Sequence, residues 1–201
     1  AVLMVKPSLD FFALTFALLK AGIVPVLIDP GIGPRHLKQC IHEAMPQGFI
    51  GIPKAIAAKK ILGWGRASIR HLVTVGRRLF WGGPTLEHVK EKGKSSEAYT
   101  IRTSSREEAA AIVFTSGSTG VPKGVIYTHG NFIAQLEMIR ETYQIKPKEI
   151  DLPPFPLFAL FNPALGMTTI VPEMDPTKPA EVDPRKIIEA MERCQELVDA
   201  C

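Results

Sequence analysis

The stretch Ala111–Phe132 reads AIVFTSGSTGVPKGVIYTHGNF, and its reading decides how the rest of the chain is understood. Ala109–Phe114 is an apolar, β-prone run, and Val125–Thr128 is a second one. Between them lie Thr115, Ser116, Gly117, Ser118, Thr119 and Gly120, then Val121-Pro122-Lys123-Gly124. Glycines let the backbone approach a ligand closely or take positive φ, and successive N–H groups can form a concave nest for phosphate oxygens. The hydroxyls of Thr115, Ser116, Ser118 and Thr119 add donors, and Lys123 adds a mobile cation that can follow a phosphate. A Walker loop would place Lys-Ser/Thr at the opening of a helix, whereas Gly124 and a β-branched run follow Lys123 here. The expected geometry is strand, glycine-rich loop, strand, with a helix beginning near Asn131. The expected ligand is a nucleotide phosphate.

Working outward, the chain has 201 residues, 46% of them apolar and 22% charged, which suits a folded domain with a sizeable core. The net charge of +4 fits an anionic small ligand as easily as nucleic acid and does not choose between them. Cys40, Cys194 and Cys201 are odd in number and far apart, with neither metal-ligand spacing nor a disulfide framework, so a reducing cytoplasm is the expected compartment. Phe11–Leu19 is apolar but bounded by Asp10 and Lys20. It is far shorter than a bilayer span and reads as a buried helix capped by Ser8 and stopped by Gly22. No membrane span is expected.

The rest of the first half alternates short apolar runs with helical patterns. Val24–Asp29, Phe49–Ile52 and Leu72–Val75 read as strands; Pro34–Ala44 and Lys54–Leu62 read as helices. That alternation predicts an α/β fold of mostly parallel sheets flanked by helices. Gly93–Arg106 is rich in Lys, Ser, Thr and Glu and reads as a surface linker. The expected division is therefore a first α/β portion at 1–92, a linker at 93–108, and the hairpin with a second α/β portion at 109–201.

Lys54–Trp81 is basic, with Trp64, Phe80 and Trp81 interleaved. Such a pattern can serve a nucleic-acid surface, but without a recognisable nucleic-acid module a solvated face with packed tryptophans is the expectation, and no nucleic-acid partner is assigned. Arg70, His71, Arg77 and Arg78 are weaker candidates for holding an acidic substrate. After the hairpin, Asn131–Tyr143 reads as an amphipathic helix, Ile150–Leu152 and Thr168–Val171 as strands, and Pro184–Cys194 as a last helix. The apolar run Phe155–Asn162 has two readings, core packing or one wall of an acyl pocket, the latter involving Phe158, Ala159 and Phe161. His129 likewise has two, lining the site or capping the next helix.

These residues carry a family resemblance. TSGSTGVPKG at Thr115–Gly124, followed by YTHGNF, resembles the phosphate loop of the adenylate-forming superfamily of acyl-activating enzymes. Leu19-Lys20-Ala21-Gly22 through Asp29-Pro30 resembles that superfamily's early LKAG…DP motif, and Pro156-Leu157-Phe158 through Gly166 its motif near the acyl pocket. Ala159 stands where many members place an aromatic or histidine, which leaves volume for a larger or branched acyl chain. FIGIP (Phe49–Pro53), GWGR (Gly63–Arg66), VTVGRRLFWGG (Val73–Gly83) and Phe155–Ala180 are most similar to the β-lactone synthetases of bacterial long-chain olefin biosynthesis.

The resemblance implies ATP and Mg²⁺ as cofactors and a long-chain acyl or 3-hydroxyacyl carboxylic acid as substrate. ATP would activate that acid as acyl-AMP, which would lead to a β-lactone. It implies other enzymes of an olefin pathway as partners. It assigns Thr115, Ser116, Gly117, Ser118, Thr119, Gly120 and Lys123 to the phosphates, with Lys123 neutralising charge as pyrophosphate leaves. A fatty acyl-CoA or acyl-AMP ligase portion, or an inactive nucleotide-binding remnant, is the alternative. The superfamily's later Gly-Tyr-Gly-x-Thr-Glu and Tyr-Arg-Thr-Gly-Asp motifs do not occur in these residues, so the expectation is an incomplete portion of the large N-terminal domain.

Overall fold

Buried three- and four-residue strands form the centre of the structure. A computed structural model describes residues 1–95, 99–115, 122–153, 158–175 and 179–199. Strands β1 (Val2–Met4), β2 (Val26–Ile28), β3 (Gly48–Gly51) and β4 (His71–Thr74) pair in parallel, β1 with both β2 and β3, and β3 with β4. Helices α1 (Leu9–Lys20), α2 (Pro34–Ala44) and α3 (Pro53–Leu62) make the crossovers that parallel pairing requires. The helix boundaries follow local chemistry. The Ser8 side chain accepts a bond from the Phe11 N–H at the start of α1, and Pro34 and Pro53 open α2 and α3. Gly63, at φ +68°, closes α3 in the left-handed conformation that a glycine takes without strain.

The hairpin that decided the sequence reading joins this same sheet. β5 (Ala109–Thr115) lies parallel to β2, and β6 (Lys123–Thr128) pairs antiparallel with β5, giving the order β4-β3-β1-β2-β5-β6. Two compact units are described, Ala1–Gly130 and Asn131–Cys201. Residues up to Lys94 extend α4 (Leu86–Lys94), capped by Thr85, and the later part of the expected linker is tied down. The Arg102 N–H donates to the Lys20 carbonyl at 3.1 Å, and the Arg102 guanidinium meets Glu108 at 3.0 Å. Arg102 also lies over Gly22, which has φ +66° and no room for a side chain.

One core holds this first unit together. Val2, Val26, Ile28, Leu37, Cys40, Ile41, Phe49, Ile56, Trp64, Trp81 and Phe114 pack into a single buried cluster. The tryptophans of the basic stretch are thus core residues, as the sequence leads one to expect. The indole N–H of Trp81 donates to the buried Thr74 hydroxyl at 3.0 Å. Phe80, next to it, is 93% exposed.

From Asn131 onward a second unit is built differently. Helix α5 (His129–Tyr143) leads to the short parallel pair β7 (Ile150–Asp151) and β8 (Thr168–Thr169), with α6 (Asn162–Leu165) between them and α7 (Pro184–Asp199) after. A buried amide joins its pieces: Asn162 Nδ2 donates to Asp151 Oδ2 at 2.8 Å and to Thr169 Oγ1 at 2.9 Å. Among the described residues no helix is long and apolar enough to cross a membrane.

Candidate functional site

Strand register places the candidate site. Thr115 and Lys123 are partners across the hairpin, the last pair before the connecting loop. Both side chains are exposed at the end of an otherwise anchored ladder. The anchor is Phe114, buried at 5% exposure, whose ring lies against Gly124 on the neighbouring strand. A Cβ on Gly124 would sit 3.0 Å and 3.1 Å from two atoms of that ring, so the glycine after Lys123 lets the strands close over a large aromatic side chain. Pro122 is buried on the other side of Lys123, so the lysine leaves the hairpin from a firmly held backbone.

The same register brings β2 to the site. Ile28 pairs with Phe114, so Asp29 follows beside Thr115 at the carboxyl edge of the parallel strands. Asp29 turns the chain there, with its Oδ1 accepting from the Gly31 N–H at 2.8 Å. The carboxyl edge of an open α/β sheet is where ligands of such folds bind, because the loops that leave the strands converge there. Thr115, Lys123 and the Asp29 turn therefore occupy one edge.

Other sequence candidates separate from this group. Ser116, Gly117, Ser118, Thr119 and Gly120 lie outside the described residues. His129 sits at the opposite end of β6, six residues from Lys123, or about 20 Å at the rise of an extended strand. Its N–H donates to the Glu108 carbonyl at 3.1 Å as α5 begins, so its position favours the helix-start reading. Arg70 and His71 lie at the start of β4, and Arg77 and Arg78 beyond its end, so these four cations do not form one cluster. Arg78 donates to the Gly83 carbonyl at 2.8 Å.

In the second unit, Phe158 begins a 3-10 turn at Phe158–Leu160. Ala159 is fully buried, and Phe161 is half-buried with its ring 6.1 Å from that of Phe132. Among the described residues no group of three or more His, Cys, Asp or Glu side chains gathers to hold a metal.

Comparison with known proteins agrees with this geometry. The family model for AMP-binding enzymes matches residues 1–182. The chain belongs to the AMP-binding enzyme family. Over 193 residues it is 54% identical to the olefin beta-lactone synthetase of Xanthomonas campestris pv. campestris, covering 96% of this chain and 34% of that protein. It is 52% identical over 192 residues to the olefin beta-lactone synthetase of Stenotrophomonas maltophilia, again covering 96% of this chain and 34% of the relative. The chain thus spans about a third of the length of these AMP-binding relatives. A long-chain-fatty-acid-CoA ligase from Archaeoglobus fulgidus has the same fold, with a TM-score of 0.77 at 19% identity over 96% of this chain and 38% of the ligase.

Proposed function

We propose that this chain is the phosphate-binding portion of an enzyme that activates a long-chain 3-hydroxy fatty acid with ATP. The acid's carboxylate would attack the α-phosphorus, giving acyl-AMP and releasing pyrophosphate. The neighbouring hydroxyl would then close on the activated carbonyl, giving a β-lactone and AMP. The identity of 54% with an olefin beta-lactone synthetase over nearly the whole chain carries this reading. The pairing of Thr115 with Lys123 at the carboxyl edge is the structural feature that suits it.

The residues fit the nucleotide for a specific reason. Gly124 lets the hairpin close tightly, which leaves the Thr115 hydroxyl and the Lys123 ammonium exposed beside each other at its tip. A hydroxyl donor next to a flexible cation suits phosphate oxygens, whose charge grows as pyrophosphate departs. Bound Mg²⁺ would supply charge neutralisation between phosphate oxygens. Lys123 and Thr115 would orient the triphosphate, with Ser116, Gly117, Ser118, Thr119 and Gly120 completing the cradle. In a reducing cytoplasm, other olefin-pathway enzymes would supply the hydroxy acid.

Calorimetric titration with Mg-ATP tests the loop. The double substitution Lys123→Ala with Thr115→Ala should weaken binding by roughly tenfold or more, the loss of a charge-assisted and a neutral hydrogen bond. Unchanged affinity would remove the phosphate assignment. Pyrophosphate exchange dependent on a long-chain 3-hydroxy acid tests the reaction. Exchange that appears in a chain lengthened to the size of the relatives, and not in these 201 residues, would establish that the segment is one part of a larger site. Equal exchange with acids lacking the 3-hydroxyl, together with thioester formation on adding coenzyme A, would favour the acyl-CoA ligase alternative.

A further inference from the structure

Away from the hairpin, helix α2 carries a stripe that the nucleotide site does not use. Its buried face is Leu37, Cys40 and Ile41, while Arg35, Lys38 and His42 recur at helical spacing on the exposed side. The one acidic residue of α2, Glu43, lies instead towards Gly124 of β6. Opposite the stripe runs the loop 63–68. Together they enclose an open groove of about 530 Å³ lined by Arg35, Lys38, Gln39, His42, Met45 and Arg66, with Gly63, Gly65, Ala67 and Ser68 completing the wall. No acidic side chain lines it.

The loop is shaped to present Arg66. Gly63 and Gly65 have φ of +68° and +58°. A Cβ on Gly63 would come within 2.8 Å of Arg66 Nε, so the guanidinium folds across the space that the glycine leaves empty. The positive charge here is felt nearby. The Lys59 ammonium is held below its ordinary pKa first by burial and then by Lys60 and Arg66.

One exposed apolar side chain lines the groove, and two more precede its loop in sequence. Met45, on its wall, is 67% exposed, and Ile61, 79% exposed, leads through the half-exposed Leu62 directly into Gly63. Cations interleaved with exposed aliphatic side chains are the chemistry of a surface that meets anionic headgroups and the acyl boundary beneath them.

We infer that the groove between α2 and loop 63–68, with Arg35, Lys38, His42 and Arg66 against lipid phosphates and Met45, Ile61 and Leu62 against acyl chains, is a docking surface for an anionic phospholipid bilayer. α2 leads into β3 and α3 into β4, so Met45 and the loop 63–68 lie towards the amino ends of those strands, while Arg35 opens α2 shortly after the Asp29 turn. The inference stands on this groove and does not rest on the phosphate-loop reading.

Co-sedimentation of the 201-residue chain with vesicles tests it. Binding to phosphatidylglycerol–phosphatidylcholine vesicles should exceed binding to phosphatidylcholine alone by on the order of fivefold per surface cation engaged, tenfold or more in all, and fall steeply with added salt. Lys38→Glu with Arg66→Glu should reduce binding to the anionic vesicles by at least about 25-fold, the loss expected for two such cations, with the reversed charges adding repulsion. Lys6→Glu with Lys94→Glu, the same change in net charge elsewhere, should reduce it far less. Ile61→Ser should weaken the binding that persists at high salt, and circular dichroism of each variant checks that it folds. Equal binding to neutral and anionic vesicles would overturn the inference, as would equal losses in the two charge-reversed pairs. So would full competition by an equimolar amount of inorganic tripolyphosphate, which would make the groove a pocket for a small anion.

Discussion

Strands β2 and β6 belong to one sheet and live in opposite environments. All three residues of β2 are buried, with parallel neighbours on both sides. β6 is the edge strand, none of its residues is buried, and Ile126 is 62% exposed. The difference separates two tasks. The inner parallel strands hold the fold by burial, whereas β6 is held by its ladder with β5 and by Phe114 against Gly124, and carries Lys123, proposed for phosphate.

The comparison breaks first at its buried side. Phe49 has no exposed surface and stands in β3 between β1 and β4. Phe49→Ala should cost about 3–5 kcal/mol and bring the chain to the edge of unfolding, read as the urea midpoint. A loss no larger than that of Val125→Thr on β6 would contradict the division of labour.

At the hairpin, Gly124→Val should cost about 1–3 kcal/mol through overpacking against Phe114, and should lower Mg-ATP affinity by displacing Lys123. Unchanged stability and affinity together would show that the aromatic–glycine contact does not position the lysine. A smaller loss, about 1–2 kcal/mol, is expected for Trp81→Phe, which leaves the buried Thr74 hydroxyl without its donor. Thermal unfolding of Trp81→Phe beside the double variant with Thr74→Val would show recovery if that bond is the cause.

The smallest effect has the opposite sign. Lys59 is 7% exposed, and its pKa is lowered chiefly by burial. The folded state therefore binds this proton less tightly than the unfolded chain does, and stability rises with pH as the solution passes from the lowered pKa up to the ordinary lysine value. Lys59→Met should raise the melting temperature modestly at neutral pH, and its advantage should shrink as the solution approaches that ordinary value. A constant advantage across that range would mean that the ammonium is not the source of the cost.

Local chemistry made much of this legible. Ser8, Pro34, Pro53 and Gly63 mark helix ends by side-chain bonding or backbone conformation, which nearest neighbours decide. The hairpin was readable because two β-prone runs flank a glycine-rich segment. β1 escaped notice because Val2–Met4 is three residues long and becomes a strand only by pairing with β2 and β3. α4 escaped because its nine polar-rich residues bury Leu86 alone. The pairing of β5 with β2 across a long stretch of chain was equally hidden, since only tertiary contact brings those strands together.

The sequence by itself determined the α/β class, the strand–loop–strand form around Thr115 and Lys123, and the family. Each rests on residue type and short spacing, which act within a few residues of chain. Tertiary structure alone decided that Asp29 follows β2 beside Thr115, that His129 lies at the far end of the hairpin, and that Arg66 faces the stripe on α2. Those placements follow from register and crossover, and a sheet sets both through hydrogen bonds between residues far apart in sequence.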